Sequence, residues 1–423
     1  MRSSEPGTVH IIGAGMAGLA AALRLAGAGR PVIVHEATAS AGGRCRSYYD
    51  QQSGMTIDNG THLVLSGNHA VRSFAQTIGS AAGLKGPAEA EFPFVDFVDD
   101  KKWTLRFGDS RFPWWIFDKG RRVPQTGIAD YLTLARLAFA SEDKPIAQVM
   151  ACEGVLYKRL LEPLLLAALN IDPPLGSAKL AGTLIRETLA LGGKACRPLL
   201  AREGLGHVFI EPSLAFLAAR GVAVAFEDEL VSLHFDGPRV TSLQFAKHNV
   251  PLADGDSVIL AVPPWTAESL VPNLTGPNEY RGIVNAHFHI EPPKQIPPML
   301  GIISGTAQWV FTHPHRISVT VSDGGAMFTR PRQELAQALW DDVARVSGLP
   351  HALPPWQIVR ERRATFAATP EQNRRRPQAQ TNWRNLWLAG DWTDTGLPAT
   401  LESAVRSGYR AAELVAPNLR IAS

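Results

Sequence analysis

The chain has little cysteine: three residues in 423, Cys45, Cys152 and Cys196, with no Cys-x-x-Cys pair. That excludes a disulfide framework and points to a reducing, cytoplasmic setting. Long apolar runs are also missing. The longest, residues 160–169, is broken by Glu162 and Pro163 and falls short of the ~20 residues a spanning helix needs. No membrane crossing is expected, and the opening Met1-Arg2-Ser3-Ser4-Glu5-Pro6-Gly7 lacks the apolar core of an export signal. Charge of one sign is absent as well: 42 Lys and Arg face 39 Asp and Glu, for a net +3. The basic residues are scattered apart from Arg374-Arg375-Arg376, read as a solvated loop, so nucleic-acid binding has no support. There is no repeat and no low-complexity tract. The length suits one cofactor domain and one substrate domain at a typical ~100–200 residues each.

What is present begins at once. A strand, Val9-His10-Ile11-Ile12, runs into Gly13-Ala14-Gly15-Met16-Ala17-Gly18 and then an apolar helix. Gly13 permits the tight turn, Gly15 lets backbone approach a pyrophosphate, Gly18 allows close helix–strand packing, and the helix N-terminus offers N–H groups to phosphate. A second strand, Pro31-Val32-Ile33-Val34-His35, ends at Glu36, about 20 residues on, where an acid accepts the ribose 2′-OH. A carboxylate there repels a 2′-phosphate, which disfavours NADP and leaves FAD or NAD.

From 68 to 202 the pattern reads as helical, as in residues 131–139 and 155–161. Residues 221–226, 229–233 and 257–262 then return to strands. Residues 286–290, 307–311 and 317–321 suggest an antiparallel substrate-domain sheet, and residues 385–391 a last buried strand. The expected fold is α/β, a Rossmann-like FAD-binding domain (GR2-type) with a discontinuous substrate domain of antiparallel sheet plus a helical insertion. The expected boundaries are 1–67, 203–265 and 356–423 for the cofactor domain, and 68–202 and 266–355 for the substrate domain.

Gly42-Gly43-Arg44, Leu388-Ala389-Gly390-Asp391-Trp392 and residues 397–408 resemble the flavin amine oxidase and carotenoid desaturase superfamily. With Asp58-Asn59-Gly60-Thr61-His62, residues 161–170 and residues 395–405, the chain resembles most the hydroxysqualene dehydroxylases of that superfamily. The resemblance runs from Val9 to about Ala412 and implies FAD. It implies a cofactor site of Gly13, Ala14, Gly15, Met16, Ala17, Gly18, Glu36, Ala37, Gly43, Arg44, Asn59, Gly60, Thr61, His62, Val231, Ala261, Gly390, Asp391, Pro398, Ala399, Thr400 and Ser403. Arg44 is placed to meet pyrophosphate, Val231 to contact adenine through its backbone, and Asp391 to accept a ribityl hydroxyl. Pro398-Ala399-Thr400 begin a helix whose N-terminus stabilises negative charge on the reduced flavin.

The same resemblance implies that hydroxysqualene loses its allylic hydroxyl and gains a hydride, giving squalene. That chemistry needs a proton donor, a water-poor tunnel and a hydride source. Candidates for the donor are His62, Asp394 and Asp58. Aromatic surface for the tunnel comes from residues 92–94 and 112–117 and from Trp265, Trp309 and Trp392, with Trp392 the best placed because it follows Gly390-Asp391. His287 with His289 and His313 with His315 alternate along strands without an accompanying acid or thiol cluster, so no metal is expected. An electron donor such as NADPH or a flavin reductase is required, and no second dinucleotide motif identifies it. A water-insoluble substrate implies peripheral attachment to the inner face of a bacterial membrane, through residues 112–117 and 131–139. The competing readings are a carotenoid or phytoene desaturase, an amine oxidase, and a prenyl-lipid escort that binds without redox chemistry.

Overall fold

The computed structural model describes residues 6–140 and 142–417. Residues 1–5, most of the stretch expected to carry no export signal, lie outside the described residues. Five strands form a parallel sheet in the order Ala223–Ala225, Val32–His35, Val9–Ile12, Ser257–Leu260 and Leu386–Leu388. Val9 sits opposite Val32 on one side and Ser257 on the other. Every residue of the two central strands is buried. A parallel strand covered on both faces reads as a continuous apolar run, which is how these appear in the sequence.

The helix Met16–Gly27 follows the first strand and packs on the last helix, Leu401–Val415. The contact is close because small residues make it: a Cβ on Gly408 would lie 2.1 Å from the Ala17 carbonyl oxygen. The two ends of the chain are therefore locked side by side against one face of the parallel sheet.

The second large sheet has seven strands, in the order Trp356–Phe366, Tyr280–His289, Arg316–Val321, Trp309–His313, Met299–Ile303, Ala90–Asp96 and Lys101–Phe107. All neighbours are antiparallel except Met299–Ile303 with Ala90–Asp96, which run parallel. Helix Arg332–Ser347 covers it, with Trp340 packed on Phe288 at 5.0 Å between ring centroids.

Two sequence expectations change here. Residues 68–202 are not helical throughout: Ala90–Asp96 and Lys101–Phe107 join the large sheet, and Ala90, Phe92 and Phe94 alternate inward past the half-buried Glu91 and Pro93. Helices Leu132–Ala138, Glu162–Leu169 and Ala178–Glu187 do follow in that segment. Trp356–Phe366, assigned with the cofactor domain, pairs along Tyr280–His289. Its run Arg360-Glu361-Arg362-Arg363 masks the alternation, and only Ile358, Ala364 and Phe366 are buried.

The helix–helix contact generates a test. Gly408→Ala is expected to cost about 1–3 kcal/mol by overpacking. Gly27→Ala, where nothing lies within 4 Å of the added Cβ, is expected to leave stability within about 1 kcal/mol of the parent. Denaturant unfolding of the two variants checks the difference.

Candidate active site

Between the two sheets lies a cavity of about 750 Å³ reaching from the glycine turn to the helical segment. Its first end is built for phosphates. Gly13 has φ +103° and a Cβ there would meet the Ala261 carbonyl oxygen at 2.5 Å, while one on Gly18 would meet the Gly13 oxygen at 1.9 Å. Both glycines are required by the protein's own packing. Gly15 differs: nothing lies within 4 Å of its Cβ position, and it lines the cavity. Its missing side chain leaves room for something the chain itself does not supply, which fits a dinucleotide pyrophosphate.

Glu36 is held at the cavity wall by three donors: the Ala14 amide (2.8 Å), the Thr38 amide (3.0 Å) and the Thr38 hydroxyl (2.8 Å). The Gly42 amide donates to the Ala14 carbonyl at 2.8 Å, tying the second glycine turn to the first. From that turn Arg44 reaches across to Asp391 (2.7 Å) and the Ala364 carbonyl (2.5 Å). Burial works against the Arg44 charge, but Asp391 and Glu361 outweigh it and hold the guanidinium pKa above its usual value.

On the opposite wall Gly390 has φ +148°, and a Cβ there would lie 2.5 Å from the Trp392 indole nitrogen. That indole N–H donates to the Val262 carbonyl at 2.9 Å, so the ring is fixed where it lines the cavity. Thr400 caps the last helix, its hydroxyl accepting from the Ser403 amide at 3.1 Å. Ala399, Thr400 and Leu401 turn this N-terminus toward the cavity.

Most of the residues singled out in the sequence therefore share one chamber: Gly13, Gly15, Met16, Ala17, Glu36, Ala37, Gly43, Arg44, Asn59, Gly60, Thr61, His62, Ala261, Gly390, Asp391, Trp392, Ala399 and Thr400 line it. Ala14, Gly18, Pro398 and Ser403 lie behind the wall and support it. The Ser403 hydroxyl, for instance, bonds Thr395 at 2.6 Å. Val231 points outward and is 57% exposed, and it is Asp228, Glu229 and Leu230 that line the cavity. A register shift between Leu230 and Ser232 accompanies that outward turn.

Two proton-donor candidates fall away. Asp58 is buried outside the cavity, accepting from Ser47 Oγ (2.5 Å), the Leu205 amide (2.8 Å) and Arg316 (2.6 Å). Burial raises its pKa, but Arg316 and the hydrogen bonds outweigh that and hold it below the usual carboxylate range. It is a fixed anion in a structural ion pair. Asp394 is exposed on the surface, bonded to Gln378 at 3.0 Å. His62 stays in the cavity wall with Nδ1 donating to the Gly60 carbonyl at 2.8 Å, and burial lowers its pKa.

Two residues of the large sheet complete the wall without having been singled out. Asn285 accepts through Oδ1 from the Thr320 hydroxyl (2.8 Å) and the Thr61 amide (3.4 Å). With its oxygen so occupied, the amide is oriented, and its NH₂ group is left at the cavity wall beside Gly60. Glu361 accepts from Asn59 Nδ2 at 3.2 Å and forms no ion pair among the described residues. The signal for Asn285 was a buried polar residue alternating with apolar neighbours in a sheet strand. Beyond these groups the lining is largely apolar, with Phe92, Phe107, Leu134, Leu164, Trp309 and Phe311, and Asn170, Thr188, Ser322 and Arg363 also reach it. Phe94 and Trp115 pack in the adjacent core, and Phe112, Trp114 and Phe117 face outward.

The histidine pairs split as strand alternation requires. His287 and His313 are buried near Arg316, bonded to Ser318 Oγ (2.9 Å) and the Arg202 carbonyl (3.1 Å), while His289 and His315 lie nearer the surface. Among the described residues no group of three or more His, Cys, Asp or Glu is arranged to hold a metal ion.

The flavin containing amine oxidoreductase family matches residues 16–416. A hydroxysqualene dehydroxylase of Rhodopseudomonas palustris is 57% identical over 409 residues, covering 96% of this chain and 98% of that protein. One of Zymomonas mobilis is 45% identical, with 96% and 98% covered. Among solved structures, cyclohexylamine oxidase from Brevibacterium oxydans superposes with a TM-score of 0.72 at 16% identity over 98% of this chain and 99% of that one. Putrescine oxidase gives 0.68 at 17% over 96% and 98%. The two oxidases share the fold.

Two tests follow. Because the space at Gly15 is open within the protein, Gly15→Val is expected to abolish FAD retention while leaving the unfolding midpoint of the apoprotein within a few degrees of the parent. Flavin absorbance and a thermal melt check both halves. For pH, burial, with Arg316 adding to it, lowers His287 to about 4 and His313 to about 3. The unfolded chain therefore takes up these protons first, near the ordinary 6.5. Their contribution to stability is full above that value and is lost as pH falls toward the folded values. Melts over this interval should show the decline, with a shallower slope for His313→Asn.

Proposed function

The chain belongs to the flavin containing amine oxidoreductases and, among them, to the hydroxysqualene dehydroxylases, and from that premise we propose that it converts hydroxysqualene to squalene in squalene and hopanoid biosynthesis. The cofactor is FAD, and reduced FAD supplies the hydride equivalent. Gly13, Gly15 and the N-terminus of Met16–Gly27 would hold its pyrophosphate, Glu36 its adenosine ribose, and Arg44, Asp391 and Thr400 the remainder. The observation that carries the reading is a largely apolar chamber opening from this site, with the polar side chains of Asn285, Glu361 and His62 together in its wall.

The reaction balances as an allylic alcohol plus a proton and a hydride giving a hydrocarbon and water. A proton reaches the hydroxyl oxygen at the point in the wall formed by Glu361 and His62, and the C–O bond breaks with loss of water. The Asn285 amide N–H, oriented by Thr320 and Thr61, holds the departing oxygen. Trp309 lines the cavity, and aromatic surface there would attract the positive charge developing on the allylic carbons. The apolar wall keeps bulk water from trapping that cation. A desaturase would remove hydride from a hydrocarbon and has no use for a hydroxyl-binding point. An escort has no use for the Gly15 opening or the Arg44–Asp391 closure. Between turnovers an external donor, NADPH or a flavin reductase, restores the reduced state.

Substrate delivery sets a further requirement. Exposing a thirty-carbon chain to water costs on the order of 20 kcal/mol at about 0.8 per carbon unit. The protein therefore works at a membrane surface, on the inner leaflet. Among the described residues no helix is long and apolar enough to cross a membrane. The two working parts are proposed as a cofactor part and a substrate part, with residues 356–366 moved to the latter.

The reading is tested by mixing anaerobically reduced holoprotein with detergent-dispersed hydroxysqualene and assaying squalene. Parent protein is expected to form squalene as its flavin reoxidises. Glu361→Gln is expected to retain FAD and slow product formation by about 10²–10⁴-fold. No squalene from the parent, with dehydrogenation of squalene or phytoene by oxidised protein, would replace this reading with the desaturase.

A further inference from the structure

Residues 111–122 carry aromatic side chains in an arrangement that core packing does not explain. In the short turn Trp114–Phe117, Trp115 and Ile116 point inward. Trp115 packs edge-on against Phe107 (4.9 Å between centroids) and Tyr131 (5.3 Å). Phe112, Trp114 and Phe117 point the other way and are 52%, 65% and 52% exposed. They cluster with tilted rings, Phe112 to Trp114 at 4.3 Å and Trp114 to Phe117 at 6.0 Å between centroids. Leu132 and Phe139, at the two ends of helix Leu132–Ala138, are 64% and 83% exposed. Large aromatic residues left in water at this density mark a binding surface.

Charge identifies what binds. The same segment holds Arg111, Lys119, Arg121 and Arg122 against one acid, Asp118. Asp118 pairs with Arg121 at 3.6 Å, and no carboxylate pairs with Arg111, Lys119 or Arg122 among the described ion pairs. Aromatic residues flanked by unpaired cations suit the headgroup region of an anionic bilayer. A two-fold contact with a second copy of this chain would bring the basic rim against itself.

The wall behind this surface is thin. Phe107 lines the cavity and touches Trp115, whose neighbours in sequence are the exposed aromatics. Leu134 lines the cavity from helix Leu132–Ala138, whose outer side carries the exposed Leu132. We propose that this face docks on anionic lipid and that helix Leu132–Ala138 is the door through which a polyisoprenoid passes between bilayer and cavity. The proposal rests on the functional reading above for its substrate, and on the exposed aromatic and basic residues for its membrane.

The test uses holoprotein sedimented with vesicles of phosphatidylcholine alone or mixed with phosphatidylglycerol. Parent protein is expected to partition to the mixed vesicles. Trp114→Ser combined with Phe139→Ser should lower partitioning to both vesicle types by about tenfold or more. Lys119→Glu combined with Arg122→Glu should lower it, by about tenfold or more, only where phosphatidylglycerol is present. Both variants should match the parent on detergent-dispersed hydroxysqualene and fall behind it on vesicle-borne substrate. Parent protein that stays in the supernatant, or variants that sediment like the parent, would overturn the proposal. So would variants that turn a dimer into a monomer without changing lipid partitioning. Failure to make squalene in detergent would sink the functional reading alone, since sedimentation decides the docking separately.

Discussion

The site depends on one ion pair. Arg44 leaves the second glycine turn, near the start of the chain, and meets Asp391, just beyond the last strand Leu386–Leu388 of the parallel sheet, at 2.7 Å. Arg44 is 43% exposed and its exposed part faces the cavity, whereas Asp391 is almost wholly buried. The contact crosses from one end of the sequence to the other, and Gly408 against Ala17 provides the same closure a layer deeper. With both in place, the helix N-terminus at Gly15 and the one at Thr400 face a common space. Two helix N-termini directed at one chamber favour anionic groups at two separated points. FAD, with a pyrophosphate in its middle and a flavin that becomes anionic on reduction, matches that spacing of charge.

From this closure the rest of the chamber takes its character. The large sheet supplies the wall opposite the cofactor, and its strands alternate, so every second residue of Tyr280–His289 reaches inward. Along that strand Ile283 and Asn285 reach the cavity, and His287 lies in the buried network with Asp58, Arg316 and His313. In that network Arg316 is ion-paired with Asp58, and burial keeps His287 and His313 neutral, so it offers the chamber no acid. Asn285, Glu361 and His62 gather polar atoms at one part of the wall, while aromatic and leucine side chains make most of the chamber beyond. A chamber so divided suits a long apolar substrate with one polar group.

The parts legible in the sequence are those set by local geometry. Gly13, Gly15, Gly18 and Glu36 belong to one strand–turn–helix–strand unit, and their spacing alone puts them together. Gly390, Asp391 and Thr400 were legible through resemblance, because no local rule brings residue 391 to residue 44. What escaped was set by long-range pairing and side-chain direction. Asp58 is two residues from the cavity wall at Gly60, yet its side chain turns to Arg316, 258 residues away. Glu361 lay hidden in an arginine-rich run that reads as solvated surface until the strand is paired with Tyr280–His289.

The central claim is that the two ends of the chain hold one cofactor through Arg44 and Asp391. A double-mutant cycle on FAD affinity, with Arg44→Met, Asp391→Asn and the combined variant, measures it most directly. The account predicts that each single change weakens FAD binding and that the double variant binds little worse than either, a coupling of more than about 1 kcal/mol. Additive losses, or FAD affinity unchanged in the single variants, would contradict it.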